Sequence, residues 1–180
     1  MNNLGKFKNT FIDRYIHGKM RIAVSVLMCL VMSISMTGCG SDQGSDVQID
    51  MKAVVEEMKA TDTEMPETTM VDETSESAEE TFSVLCDFDY SKIEKFVYLY
   101  SETGSPEEVA VILCREKASV GDLMKALQTH IDKRRATFEQ YSPEEVAVVE
   151  NAVLTFEGKY VLLAIAPKSG AMQDIFKSKF

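Results

Sequence analysis

Residues 152–166 read Ala152-Val-Leu-Thr-Phe-Glu-Gly-Lys-Tyr-Val-Leu-Leu-Ala-Ile-Ala166. Two apolar runs, Ala152–Phe156 and Tyr160–Ala166, flank Glu157-Gly158-Lys159. That arrangement predicts a β-hairpin whose turn uses Gly158 for a positive φ. The second run is apolar at every position, so both of its faces must be covered and it should be a central strand. Pro167 ends it, Ser169 can cap a last helix, and Met172, Ile175 and Phe176 mark the apolar side of that helix.

The chain upstream extends this sheet. Val109–Cys114 is another continuous apolar run suited to a buried strand, and Gly104-Ser105-Pro106 before it is a turn. Val97–Tyr100 suits a strand, and Tyr90–Phe96 reads as a short helix. Ser119 with Asp122 three residues on resembles a capping box. The helix it opens puts Val120, Leu123, Met124, Leu127, Ile131, Phe138 and Tyr141 on one stripe. Ser142-Pro143-Glu144-Glu145 starts another helix with Pro at the first position. The class is therefore α+β: an antiparallel sheet of about four strands with helices packed on one face.

Ser105–Val111 and Ser142–Val148 both read Ser-Pro-Glu-Glu-Val-Ala-Val. Their flanks differ, and a solenoid needs more copies. The continuing pattern predicts strand for the first copy and helix for the second.

The N-terminal part has a different character. The first 21 residues hold five bases and one acid, and an apolar run from Ile22 to Met36 follows. A basic flank and a short apolar core read as a secretory signal; the run is short for a membrane span of roughly 20 residues. Met36-Thr37-Gly38-Cys39 closes it. Such a cysteine resembles the bacterial lipoprotein signal, in which the thiol is diacylated and becomes the first mature residue. Residues 1–38 are then a signal peptide, 39–46 a flexible tether, and 47–180 a single domain. The implied partner is the cell membrane, through diacylglycerol on Cys39, on its extracytoplasmic face. Two acyl chains give stable anchoring where one is marginal.

Asp50 can cap a helix through Met51, Val54, Val55 and Met58. Residues 61–80 are rich in Thr, Glu, Ser and Asp around Pro66, which composition alone reads as a disordered acidic spacer; the other reading is a domain segment with a short helix near Ser77–Leu85. Residues 39–180 hold 28 acids and 14 bases, a net of −14, of which −11 falls in 42–80. Acid near the tether would be repelled by anionic lipids and by nucleic acid, and no basic stripe with aromatics exists, so a nucleic-acid partner is set aside.

Few residues could carry chemistry. No GxGxxG, GxxxxGK[ST] or HExxH occurs, and no cofactor or metal is implied. After Cys39, the cysteines are Cys86 and Cys114; they could pair outside the cell, but small buried hydrophobes are the preferred reading. His130 is the one histidine of 39–180 and reads as a partly buried surface residue. Lys133-Arg134-Arg135 reads as a solvated helix face with an Arg135–Glu139 pair, or else as a phosphate or carboxylate contact. Glu107-Glu108 and Glu144-Glu145 are adjacent, not facing, carboxylates, whereas glycosidase chemistry needs two held across a cleft.

Several stretches in order resemble one family. Asp46–Glu57 looks like its opening helix, Asp89–Val97 like its second element, and Glu107-Glu-Val-Ala-Val111 like its "DEIAI" strand. Leu127 through Tyr141-Ser-Pro143 looks like its long helix ending in a Tyr-x-Pro turn, and Gly158-Lys-Tyr-Val161 like its closing hairpin. The family is the domain of unknown function 4358 family of Gram-positive extracytoplasmic lipoproteins. The resemblance implies that residues 61–80 belong to the domain. It also implies an Arg eleven residues before that Tyr, where this chain has His130. It brings no activity. A binding or interaction module without chemistry is the first expectation, in contact with an envelope protein or ligand. A cell-envelope hydrolase using acidic residues and an assembly factor of a membrane complex are the others. The hydrolase needs acids converging on one pocket; the binding module should expose an apolar patch of several hundred Å².

Overall fold

The hairpin read from residues 152–166 lies at one edge of a five-stranded antiparallel sheet in a computed structural model that describes residues 47–180. The signal peptide, the tether over 39–46 and Cys39 fall outside the described residues. The strands are β1 (Thr68–Asp72), β2 (Ile93–Ser101), β3 (Glu108–Cys114), β4 (Val153–Glu157) and β5 (Tyr160–Ile165), in the order β1-β2-β3-β5-β4. Gly158 has φ 58° in the β4–β5 turn, and β5 is buried at every residue between β3 and β4.

The helices are α1 (Met51–Thr61), α2 (Ala78–Leu85), α3 (Val120–Tyr141), α4 (Val146–Glu150) and α5 (Ser169–Lys177). They cover both faces of the sheet, not one. Alternation along the strands explains why. On β3, Ala110, Ile112 and Cys114 join Phe82, Leu123, Leu127, Ile131 and Phe138 in one core under α2 and α3. Val109, Val111 and Leu113 join Val54, Val55, Met58, Met172 and Phe176 in a second core under α1 and α5. A strand buried on both sides loses its polar–apolar alternation, so the run Val109–Cys114 signals two covered faces. Residues 47–180 enclose the whole sheet and both cores.

Three other expectations change. In the acidic segment 61–80 the disordered spacer of the compositional reading gives way to a fifth strand, β1, and to the start of α2, the short helix that the other reading placed near Ser77–Leu85. Val71 of β1 is buried, and Asp72 caps the turn after it by accepting from the Thr74 amide (3.0 Å) and hydroxyl (2.6 Å). Those bonds hold the Asp72 carboxyl below its ordinary range. Tyr90–Phe96 is not a helix: a single 3₁₀ turn, Tyr90–Lys92, leads directly into β2, where Phe96 and Tyr98 alternate inward. Neither Ser119 nor Ser169 caps by its side chain; Ser169 lies inside α5 and its hydroxyl donates to the Asn151 carbonyl (2.5 Å). Asp50 does cap α1, accepting from the Ala53 amide at 3.1 Å.

The repeated heptamer splits as the pattern predicts. The first copy runs into β3, and the second forms a 3₁₀ turn, Pro143–Glu145, continuing into α4.

Candidate functional site

The first residue of β3, Glu108, is a carboxylate with only 2 % of its surface exposed. It stands on the α2/α3 face, where its register partner on β2 is Tyr100. Burying a carboxylate is costly unless donors surround it, and three side chains gather there. The Tyr98 hydroxyl donates to Oε2 at 2.5 Å. His130 Nε2 meets Oε1 at 2.6 Å. Arg134 Nε lies 3.9 Å from Oε1.

Local structure dictates this gathering. His130 and Arg134 are four residues apart on α3, so they project from one side of the helix. Tyr98 is two residues from Phe96 and Tyr100 and shares their face of β2. Its ring packs on Tyr100 with centroids 5.1 Å apart. Burial first, then the neighbouring Glu108 charge, drives the Tyr98 hydroxyl far above its usual range, so it acts only as a proton-bearing donor. Arg134 also donates through Nη2 to the Ser105 carbonyl (3.0 Å) and lies over the Phe138 ring at 4.9 Å. Its Nε is buried without a hydrogen-bond partner, and so is Glu107 Oε2.

His130 also lines a cleft of about 260 Å³ between the C-terminal end of α2 and the middle of α3. Ser83, Val84, Cys86 and Asp87 form one wall, and Ala126, Thr129 and Lys133 share the other with His130. The cleft has a buried carboxylate behind one wall, a cation at its mouth and an exposed apolar lip, Val84, at 75 %. Mixed polar and apolar lining with a few fixed polar groups suits a small ligand or a side chain of a partner.

A carboxylate fixing one imidazole nitrogen is also the orienting half of a general-base dyad. The nucleophile that would complete it is not activated. Desolvation, with Asp87 adding to it, pushes the Cys86 thiol up to about 12, so it stays protonated at neutral pH. Cys114 is pushed up to about 11 by desolvation. Both are buried free thiols, in keeping with the reading as small hydrophobes.

The residues singled out in the sequence have separate fates. Lys133 is on the cleft and Arg134 on Glu108, whereas Arg135 faces outward to Glu139 (3.0 Å) and Glu150 (3.2 Å). Glu107 and Glu108 point to opposite faces, and Glu144 and Glu145 lie on the 3₁₀ turn before α4, so the acid pairs do not converge on one pocket. Among the described residues, no group of three His, Cys, Asp or Glu side chains could hold a metal. No described helix is long and apolar enough to cross a membrane. The exposed large apolar side chains among the described residues are Val84, Tyr141, Phe156 and Phe180, and of these Val84 lines the cleft.

Glu108 and Tyr98 were not legible as partners of His130. The available signal was a lone acid opening an otherwise apolar strand, opposite a His and an Arg one helical turn apart. The structure also accounts for the position where the resemblance implies an arginine: it is the one that reaches Glu108.

The family model described as "Domain of unknown function (DUF4358)" matches residues 67–166. That span takes in all five strands, the cluster around Glu108 and the cleft, and leaves out α1 and α5. No curated protein and no solved structure matches the chain.

Proposed function

Given that the chain belongs to the DUF4358 family, whose description assigns no activity, we propose that it is a lipid-anchored extracytoplasmic binding module. Its ligand or partner enters the cleft between α2 and α3 and meets His130, whose ring Glu108 holds in place. The observation that carries this reading is the burial of Glu108 with Tyr98, His130 and Arg134 around it. A leucine at that point would serve the core as well, and buried ion pairs give little net stability. A buried carboxylate ringed by polar side chains beside a cleft is a mark of function.

Two features of the sequence support the anchor: the apolar run ending in Met36-Thr37-Gly38-Cys39 and the basic flank before it. The membrane partner is diacylglycerol on Cys39, and the domain lies outside the cytoplasm. The protonated Cys86 thiol and the divergent acid pairs favour binding over hydrolysis.

Two experiments test the two halves. Metabolic labelling with a palmitate analogue should mark the native chain and not a Cys39→Ala variant; equal labelling of both would refute the anchor. A photo-crosslinker at Val84, in intact cells, should give a discrete envelope adduct. The adduct should be lost in a folded His130→Ala variant. Adducts that persist unchanged in that variant would refute the site.

A further inference from the structure

Two charged side chains of opposite sign line the cleft between α2 and α3, and they do not meet. Asp87 stands on one wall and Lys133 on the other. Both are exposed, and neither has an ion-pair partner among the described residues. No other acid, lysine or arginine lines the cleft. Behind the wall, Glu108 and Arg134 answer each other at 3.9 Å. The lining is therefore neutral in sum, yet it keeps one anion and one cation open to a ligand.

The remaining polar groups add direction. The Ser83 hydroxyl donates to the Glu80 carbonyl (2.7 Å), and the Thr129 hydroxyl donates to the Lys125 carbonyl (3.0 Å). With their protons spent, both hydroxyls keep only lone pairs for the cleft. The end of α2 forms this wall. Its Phe82 carbonyl accepts from the Cys86 amide, whereas the carbonyls of Ser83, Val84 and Leu85 have no donor among the described residues. The negative end of the helix dipole lies here too. His130 adds one more acceptor. A carboxylate offers only lone pairs, so Nε2 must bring the proton that joins it to Glu108. In the neutral ring Nδ1 then holds a lone pair, and no described residue bonds to it. Against these acceptors the donors are the Lys133 ammonium, the weak Cys86 thiol and the Asp87 amide.

We infer that the cleft takes the zwitterionic head of an α-amino acid, its ammonium among Asp87, His130 Nδ1 and the acceptors of the α2 wall, its carboxylate at Lys133. This deepens the Proposed function and rests on its reading of the cleft as the binding site. Charge matching decides the class. A phosphate or a simple acid would meet Lys133 and leave Asp87 and the acceptor wall unanswered. A simple amine would meet Asp87 and be repelled by Lys133. An ammonium and a carboxylate on one carbon answer both. A volume of about 260 Å³ suits a compact head, and Val84 and Ala126 give a short apolar side chain a surface to lie on. The head belongs to a free amino acid or to an amino-acid unit linked through its side chain to an envelope polymer; its chemistry at the cleft is the same.

Calorimetric titration of the whole chain, purified in detergent, tests the class with racemic valine. Isobutylamine is valine without its carboxylate, and isovalerate is valine without its ammonium. Valine should bind with a Kd of about 1 mM or tighter, and each truncated analogue about ten-fold more weakly. Asp87→Asn and Lys133→Gln change exposed positions, so both variants fold. Each should weaken valine about ten-fold. The first should erase the advantage of valine over isovalerate, and the second its advantage over isobutylamine. Absence of valine binding, an analogue that binds as well as valine, or binding that either variant leaves unchanged overturns the proposal.

The Val84 crosslink in intact cells separates this proposal from the reading beneath it. A His130-dependent adduct that an excess of valine suppresses supports a head carried by an envelope polymer. Valine binding without any adduct supports the free amino acid. A His130-dependent adduct, with valine neither binding nor competing, leaves the cleft as the binding site and overturns the amino-acid head alone.

Discussion

Replacing Glu108 by leucine separates the cost of a broken cluster from the cost of a missing one. In a Glu108→Leu variant the Tyr98 hydroxyl and His130 Nε2 lose their acceptor, and Arg134 loses its counter-charge. Each buried polar group left alone costs about 1–3 kcal/mol. Arg134 keeps the Ser105 carbonyl and reaches solvent, so it adds little. The single variant should lose about 3–5 kcal/mol, a large part of the roughly 5–15 kcal/mol that stabilises a domain. A triple variant, Glu108→Leu with Tyr98→Phe and His130→Leu, removes the stranded groups as well. It should return to within about 1 kcal/mol of the native chain, because apolar replacement of a buried ion cluster is commonly neutral or favourable. Urea unfolding of residues 47–180 with an unchanged m-value measures both differences. A triple variant as unstable as the single one would refute the reasoning. The cluster would then be a stabilising part of the core, and its burial would say nothing about function.

Other outcomes rest on the same structure. Cys86 and Cys114 should resist a thiol reagent at pH 8 in the folded state and react at once in urea. Their raised pKa values also set a sign: the protonated form favours the fold, so their contribution is complete below the unfolded thiol value of about 8.5 and is lost as pH rises toward about 12 and about 11. Unfolding free energies at pH 7 and pH 10 should therefore fall more for the native chain than for a Cys86→Ala/Cys114→Ala variant, by about 2 kcal/mol per thiol; equal losses would contradict the burial of both thiols. Phe96→Ala opens a cavity among Phe82 and Tyr90, whose rings lie 5.4 and 6.1 Å away, and should cost about 3–5 kcal/mol by urea unfolding. Gly158→Ala at φ 58° should cost about 1 kcal/mol by the same assay, with Gly158→Asn milder.

The sequence made the sheet legible where burial was total. The apolar runs of β3 and β5 leave no solvent face, and the stripe of α3 has one obvious side. What it hid was the partner of each face. Val109–Cys114 announces two covered faces, yet only the fold shows that α1 and α5 take one and α2 and α3 the other. The acidic segment misleads for a similar reason. β1 buries only Val71 among its five residues, so its place in the sheet comes from backbone pairing with β2, which composition does not register. The cluster was the least legible part. A glutamate at the start of an apolar run and a histidine on a helix are ordinary residues until register and helix rotation bring them to 2.6 Å.

The repeated heptamer shows how far residue identity falls short of chemistry. Glu108 and Glu145 are the same residue in the same seven-residue context. The first is buried on a strand among Tyr98, His130 and Arg134; the second lies on a 3₁₀ turn that opens a short helix. The difference originates downstream. After the first copy, Ile112-Leu-Cys extends an apolar run long enough to be an interior strand. After the second, Val149 is the one buried residue of α4, and Glu150 turns outward to Arg135. The apolar continuation pulls Glu108 under α3, and α3 offers His130 and Arg134 one turn apart at that height. Local propensity allowed either outcome for both copies, and tertiary packing decided. The buried carboxylate of this fold is thus made by the residues downstream of it and by those that face it, and a Glu145→Gln substitution should leave stability and cleft crosslinking unchanged where Glu108→Gln alters both.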